Sequence, residues 1–224
     1  MRFKKAFGLG LEAAKKNLLP GLLLQGVMLV FILLYLFHGG TQELLRQVSA
    51  MRMEMGYRFA IVCYIVSGAL LPEILKIVLF QKGKPSLENV WLFLTAAPLW
   101  MAMGTAVDFF YHCQSLWFGS GNSWNIVVIK VLVDQLLYSP FFANPIVTGY
   151  FTLRDGGFGG AAFAKVFHRD FYSERVLPVQ MAGWCVWIPG VALVYFMPPS
   201  LQLPVAILIQ CFWVLILTSL NDRE

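Results

Sequence analysis

"VLPVQMAGWCVWIPGVALVYFMPPSLQLPVAILIQCFWVLILTSLN", residues 176–221, contains no Asp, Glu, Lys or Arg. As an α-helix at about 1.5 Å per residue, this stretch would be roughly twice as long as the ~30 Å hydrocarbon core of a membrane is thick. The consecutive prolines in "MPPS", residues 197–200, remove amide donors and disfavour helix before them. The sequence therefore predicts two membrane-spanning helices with a break at these prolines.

The composition of the whole chain extends this pattern. The 224 residues are 58% apolar and 13% charged, with a mean hydropathy of +0.68, whereas roughly a quarter of the residues in a soluble domain are charged. The apolar segments are continuous rather than alternating, which disfavours a membrane barrel. We therefore predict an all-α, polytopic integral membrane helix bundle. The six predicted spans are 17–38, 57–80, 89–118, 124–151, 179–197 and 201–220.

Basic residues predict the orientation of these spans. The N-terminal tail and the second and fourth connections are rich in Lys and Arg, whereas "FGSGNS" and "MPPS" contain none. This alternation places both termini on the cytoplasmic or matrix-equivalent side. The first connection does not fit this alternation, since it carries Arg46, Arg52 and Arg58. The first apolar run lacks a signal-peptide cleavage pattern after it, so we expect it to remain as an anchor.

The sequence lacks the motifs of nucleic-acid-binding proteins, nucleotide-binding proteins, hydrolases and metalloproteins. The net charge of +5 lies at predicted membrane borders, where anionic headgroups account for it, so we expect no nucleic-acid partner. The glycines of "LRDGGFGG", residues 153–160, precede no Gly-Lys-Ser/Thr and predict a hinge rather than a phosphate loop. No G-x-S-x-G or H-E-x-x-H occurs, and the four cysteines lack metal-ligand spacing. We expect no enzyme activity, no cofactor and no metal site.

A short amphipathic segment follows the hinge. Its apolar face consists of Phe163, Ala164, Phe167 and Phe171, and its polar face of Lys165, His168 and Arg169. This arrangement predicts a short helix that lies in the membrane interface.

Ionisable residues interrupt the fourth predicted span. Asp134 lies about 15 Å along the helix axis from Trp124, which is close to the middle of the membrane. Lys130 is four residues before it and Tyr138 four after, so the three share a helical face. An isolated charge at this depth is costly and calls for a partner or a hydrated cavity. We expect Lys130 and Asp134 to form an ion pair.

The third span adds polar residues at the same depth. If "GSGN", residues 119–122, is the turn of a helical hairpin, Asp108 and His112 return to the level of Lys130 and Asp134. The predicted polar cluster consists of Asp108, His112, Lys130, Asp134, Gln135 and Tyr138. Three interpretations remain open: an ion cluster that fixes helix packing, the wall of a pore, and proton-coupled transport or chemistry.

Two motifs resemble a known family. Lys130, Asp134, Gln135 and Pro140 match the K-x-x-x-D-Q-x-x-x-x-P signature of the 22-kDa peroxisomal membrane protein family, also called the Mpv-seventeen family. Further downstream, "WCVWIP" resembles the family's W-x-x-W-x-P motif. The residues that carry this second resemblance are Trp184, Trp187, Pro189, Pro198 and Trp213. Upstream, Gly104, Phe110 and Tyr111 suit the family's G-P-x-x-H-x-W-Y segment.

The resemblance covers residues 57–224 and has departures. Asp108 and Thr105 stand in the histidine and proline positions of the upstream segment, and Val191, Val194 and Gln202 replace polar family residues. Residues 1–56 lie outside the match and form an N-terminal extension with one additional span. The family implies an integral protein of the peroxisomal or inner mitochondrial membrane.

The family also implies channel-like passage of small solutes. We therefore expect a weakly selective small-solute pathway across an organellar or bacterial inner membrane. The alternative is a membrane scaffold without transport, involved in stress or metabolite homeostasis. The expected partners are the lipid bilayer and small polar solutes, and a homo-oligomer stays open. Access of solvent to Asp108, Lys130, Asp134 and Gln135 discriminates between pathway and scaffold.

Overall fold

The computed structural model describes residues 8, 11, 12, 15 and 17–220, of which 216–220 are described by backbone alone. Residues 17–220 contain eight helices, and no described residue lies in a strand. The helices are α1 (Leu18–Phe37), α2 (Gly39–Met55), α3 (Tyr57–Leu79), α4 (Leu87–Phe118), α5 (Trp124–Asp155), α6 (Gly160–Val166), α7 (Tyr172–Phe196) and α8 (Pro199–Leu220). The predicted all-α bundle is confirmed. Most of the basic N-terminal tail, which contributed to the predicted orientation, lies outside the described residues.

Among the described residues, five helices are long and apolar enough to cross a membrane, namely α1, α3, α4, α5 and α7. The described apolar part of α8 is shorter, Pro199–Leu215, but its backbone follows the sixth predicted span. The chain is thus an integral, multi-pass membrane protein.

The last helix, α8, lies in the centre of the bundle. It contacts α1, α2, α3, α4 and α7. Residues 201–207 of this helix are all buried, including Leu203, Val205 and the amide side chain of Gln202. A segment buried on all sides has no face for lipid, which explains why the apolar residues of this part of α8 show no amphipathic pattern.

Small residues bring α3 and α4 close together. A Cβ added at Gly104 would lie 2.8 Å from both the carbonyl oxygen of Ala60 and the Cβ of Tyr64. A Cβ at Gly68 would lie 2.3 Å from the ring of Trp100. Close approach at glycine is the usual way in which membrane helices pack, since lipid removes most of the hydrophobic drive between them.

Three π-helical segments interrupt the spans, each beside a proline. They cover Val66–Leu70 in α3, Asp134–Ala143 in α5 and Tyr172–Val176 in α7. Pro72 and Pro178 follow the first and third segments, and Pro140 lies within the second. Proline has no N–H and clashes with the preceding turn, and the wider π turn accommodates it.

The first connection is a helix, which the sequence analysis did not predict. Helix α2 begins after His38, whose Nδ1 accepts from the N–H of Thr41, and ends at Gly56 with φ of 55°. Its exposed Glu43 accepts hydrogen bonds from Arg46 and Gln47, which lower the pKa of Glu43 to about 2. Helix α2 packs against α8, and one arginine of this connection, Arg52, faces the bundle.

The amphipathic segment after the hinge forms a shorter helix than predicted. Helix α6 ends at Val166. Phe167 and Phe171 therefore lie beyond its end: Phe167 is in a turn, and Phe171 directly precedes the π segment that begins α7.

Candidate functional site

Asp134 is the centre of a buried hydrogen-bond network. It lies at the start of the π segment of α5. Its Oδ2 accepts from the hydroxyl of Tyr195 at 2.8 Å, and its Oδ1 from Nε2 of Gln135 at 2.8 Å. Gln114 of α4 donates to the Tyr195 hydroxyl at 2.8 Å and to the carbonyl of Lys130 at 3.1 Å. One hydrogen-bond network thus connects helices α4, α5 and α7.

Lys130 is not part of this network through its side chain. It is 0% exposed, and its Nζ has no hydrogen-bond partner among the described residues. The Nζ lies 5.6 Å from the centre of the Tyr195 ring. The predicted Lys130–Asp134 ion pair is wrong. Helical side chains lean towards the N-terminus, so a lysine that precedes an aspartate by one turn points away from it.

Asp108 belongs to a different site. It is 4% exposed and forms an ion pair with Arg52 of α2. The predicted approach of Asp108 to Lys130 and Asp134 is therefore wrong. The arginine of α2, a helix that the sequence analysis did not predict, provides its cation. His112, one turn further along α4, lines a cavity together with this pair.

Prolines in α5 leave backbone carbonyl groups without the N–H donors that a regular helix would provide. In π pairing the carbonyl of Gln135 would accept from residue 140, but Pro140 has no N–H. This carbonyl instead accepts from Trp184 Nε1 at 3.0 Å. The carbonyl of Pro140 lies five residues before another proline and accepts from the Tyr172 hydroxyl at 3.1 Å. The spacing Asp-Gln-x-x-x-x-Pro thus ties α5 to α7.

A second set of buried amides extends the polar region. Gln180 of α7 accepts from Ser139 at 3.0 Å and from Asn144 at 2.6 Å. Tyr138, a predicted cluster member, does not reach Asp134 by a hydrogen bond, and its ring stacks on Phe110 at 4.0 Å between centroids. The sequence analysis did not include Gln180 in the polar cluster. The feature that could have identified it is a polar amide within a span that contains no charged residue.

Two cavities of the bundle contain these polar residues, and the larger of them measures about 550 Å³. Asp134, Gln135, Gln180 and Gln210 lie on its wall, and Asn17 lies at one end. Asn17 precedes α1, and the cavity therefore extends towards the end of the bundle where α1 begins. Trp187 and Trp213 of the C-terminal motif also line it.

The smaller cavity measures about 220 Å³ and contains the other polar cluster. Arg52, Asp108 and His112 line it. Ser120, in the turn between α4 and α5, and Pro199, at the start of α8, place it at the opposite end of the bundle.

Tyr111 lines both cavities. It is 9% exposed, and its ring meets the ring of Tyr195 edge-on at 5.4 Å between centroids. The side chain therefore stands between a cavity that contains Asp134 and one that contains Asp108.

The remaining motif residues shape the helices around these cavities. Pro189 lies inside α7, and Pro198 lies in the break before α8.

No protein-family model matches the chain, and no solved structure matches it significantly.

Proposed function

We propose that the protein forms a weakly selective, channel-like pathway for small polar solutes, without chemical conversion of the solute. The two cavities are the two halves of this pathway, and Tyr111 is the barrier between them. The observation that carries the proposal is that one aromatic side chain lines both cavities.

The polar residues in the cavities support this function. Asp134, Gln135 and Asp108 are at most 6% exposed, and all three lie on cavity walls rather than in close-packed contacts alone. Ionisable groups inside a membrane are costly and commonly mark a solute or ion path. A path also requires sites weak enough for the solute to leave, and walls of amides and aromatic rings meet that requirement.

A scaffold without transport is the second candidate. The hydrogen bonds of Asp134 and the ion pair of Asp108 satisfy both carboxylates within the fold. Lys130 is buried and lines neither cavity. These contacts would also stabilise a bundle that only binds partners.

Solute flux through the barrier separates the two candidates. In reconstituted liposomes, we expect Tyr111→Ala to raise the rate of swelling in a small sugar alcohol above that of the wild type. Tyr64→Ala is the matched control, because it removes a ring of similar burial that lines only the larger cavity. Wild-type rates equal to those of empty liposomes, with Tyr111→Ala folded and equally inactive, would favour the scaffold.

The peroxisomal or inner mitochondrial membrane is the proposed location in a eukaryotic cell, and the inner membrane in a bacterium. This part of the proposal rests on the motif that includes Lys130, Asp134, Gln135 and Pro140. Fractionation of cells that express the tagged chain, with marker proteins for each membrane, tests it. Accumulation in another membrane alone would contradict it.

A further inference from the structure

We propose that the larger cavity binds organic monocations with an apolar or aromatic body, with Asp134 as their counter-ion. The inference deepens the proposed function, since this cavity is half of the proposed pathway. Binding itself does not require transport, so the two can be tested separately.

The charge on the cavity wall motivates the inference. Asp134 is the one charged residue among the described residues that line this cavity. It receives two hydrogen bonds from neutral side chains. The cation nearest in sequence, Lys130, has no hydrogen bond to it. A buried carboxylate without a cation is costly, and a cationic ligand would supply the missing charge.

The two buried acidic residues in the described part of the chain differ in this respect. Asp108 forms an ion pair with Arg52 and needs no further cation. Asp134 has donors but forms no ion pair within the described part of the chain. The larger cavity is therefore the one that attracts positive charge.

Aromatic side chains surround the same space. The six that line the cavity are Tyr64, Trp100, Tyr111, Tyr138, Trp187 and Trp213. Ring faces attract organic cations, and quaternary ammonium groups are commonly bound by such aromatic walls. The volume of about 550 Å³ lies within the ~300–1,000 Å³ typical of small-molecule sites.

Amides and hydroxyls complete the wall without adding charge. Gln180, Asn144 and Ser139 hydrogen-bond to one another, and Gln210 lies on the wall from α8. These groups offer no counter-ion to an anion, and Asp134 would repel one. The site thus selects a cation over both its uncharged isostere and an anion of similar size.

Thermal unfolding of the purified protein in detergent tests the inference. The probe is benzyltrimethylammonium, and the controls are neopentylbenzene, its uncharged carbon isostere, and phenylacetate, an anion. We expect a concentration-dependent rise of Tm with the cation alone. An equal rise with neopentylbenzene, or no rise with the cation at concentrations up to the millimolar range, would overturn the inference.

Two pairs of variants locate the site. Asp134→Asn should weaken binding about tenfold or more, because a charge-assisted contact is lost, whereas Asp108→Asn should not. Trp213→Leu should also weaken binding, and Trp117→Leu, outside the cavity, should not. Unchanged affinity in Asp134→Asn would overturn the inference, and if that variant does not fold, unchanged affinity in Trp213→Leu would do so. Binding without flux would leave this site in place and contradict only the pathway.

Discussion

Asp134 is held inside the membrane by neutral donors. Its two oxygens accept from Tyr195 and Gln135. A hydrogen bond to a charged group contributes about 1.5–3 kcal/mol, against about 0.5–1.5 kcal/mol between neutral groups. The hydroxyl of Tyr195 should therefore stabilise the fold more than that of a tyrosine that donates to a backbone carbonyl.

A pair of tyrosine variants tests this difference. We expect Tyr195→Phe to lower the free energy of unfolding by about 1.5–3 kcal/mol. Tyr172→Phe removes a donor to the carbonyl of Pro140 and should cost about 0.5–1.5 kcal/mol. Equilibrium unfolding in mixed micelles gives both values. Equal losses would argue against an ionised acceptor at Tyr195.

Lys130 should destabilise the fold that contains it. Its ammonium group is buried without a hydrogen-bond partner in the described part of the chain, and burial of an unpaired charge is costly. We expect Lys130→Met to leave the stability unchanged or raise it.

A double-mutant cycle is the second readout. Because Lys130 does not bind Asp134, we expect Lys130→Met and Asp134→Asn to be additive within about 0.5 kcal/mol. A marked loss in Lys130→Met that Asp134→Asn reverses would show that the two side chains form a pair after all.

Depth along the helix identified the polar residues but not their partners. Asp134 and Gln135 are buried beside a cavity, in keeping with the depth argument. Their partner Tyr195, at the far end of α7, has no distinguishing signal, since a tyrosine near the end of a span is typically an interface anchor. The choice of partner depends on how α5 and α7 rotate about their axes, which the sequence of one helix does not contain.

Helix α2 links the surface of the bundle to its interior. Its outer face carries the exposed Glu43–Arg46 pair, while Arg52 reaches Asp108 of α4. Since Asp108 is buried and Arg52 largely so, removal of the arginine leaves an uncompensated carboxylate.

Arginine variants on this helix should differ strongly in stability. We expect Arg52→Met to lower the free energy of unfolding by about 3–5 kcal/mol, and Arg46→Met to leave it unchanged because surface pairs contribute little. Arg52→Met combined with Asp108→Asn should recover part of the loss. Thermal unfolding in detergent measures all three, and a harmless Arg52→Met would contradict the buried ion pair.

The sequence predicted the spans well and α2 not at all. Long apolar runs determine the spans, and their ends agree with the structure within a few residues in most cases. The residues of α2 are too polar for a span, so the sequence predicts only a connection between the first two spans at this position. The π segments were not predicted either, because Pro140 and Pro178 lie beside two of them whereas Pro98 and Pro189 lie within regular helix, so a proline alone does not mark such a segment.

At the scale of the whole molecule, the two cavities lie towards opposite ends of one bundle. Asn17 marks the end reached by the larger cavity, and Ser120 and Pro199 mark the end reached by the smaller. A pathway across a membrane requires these ends to face different compartments. The alternation of basic and uncharged connections predicts that arrangement, so topology and function depend on the same test.

Labelling of single cysteines measures the topology. We expect Ser120→Cys and Gly159→Cys, in a background without the four native cysteines, to react with an impermeant thiol reagent from opposite sides of sealed vesicles. Both positions are exposed, and Gly159 is preferred to Gly157, whose φ of 63° disfavours a side chain. The turn at Ser120 contains no basic residue, whereas the connection around Gly159 is followed by Lys165 and Arg169, so Gly159 should be labelled from the cytoplasmic or matrix-equivalent side. Labelling of both cysteines from one side alone would place both cavity ends in one compartment and exclude a transmembrane pathway through Tyr111.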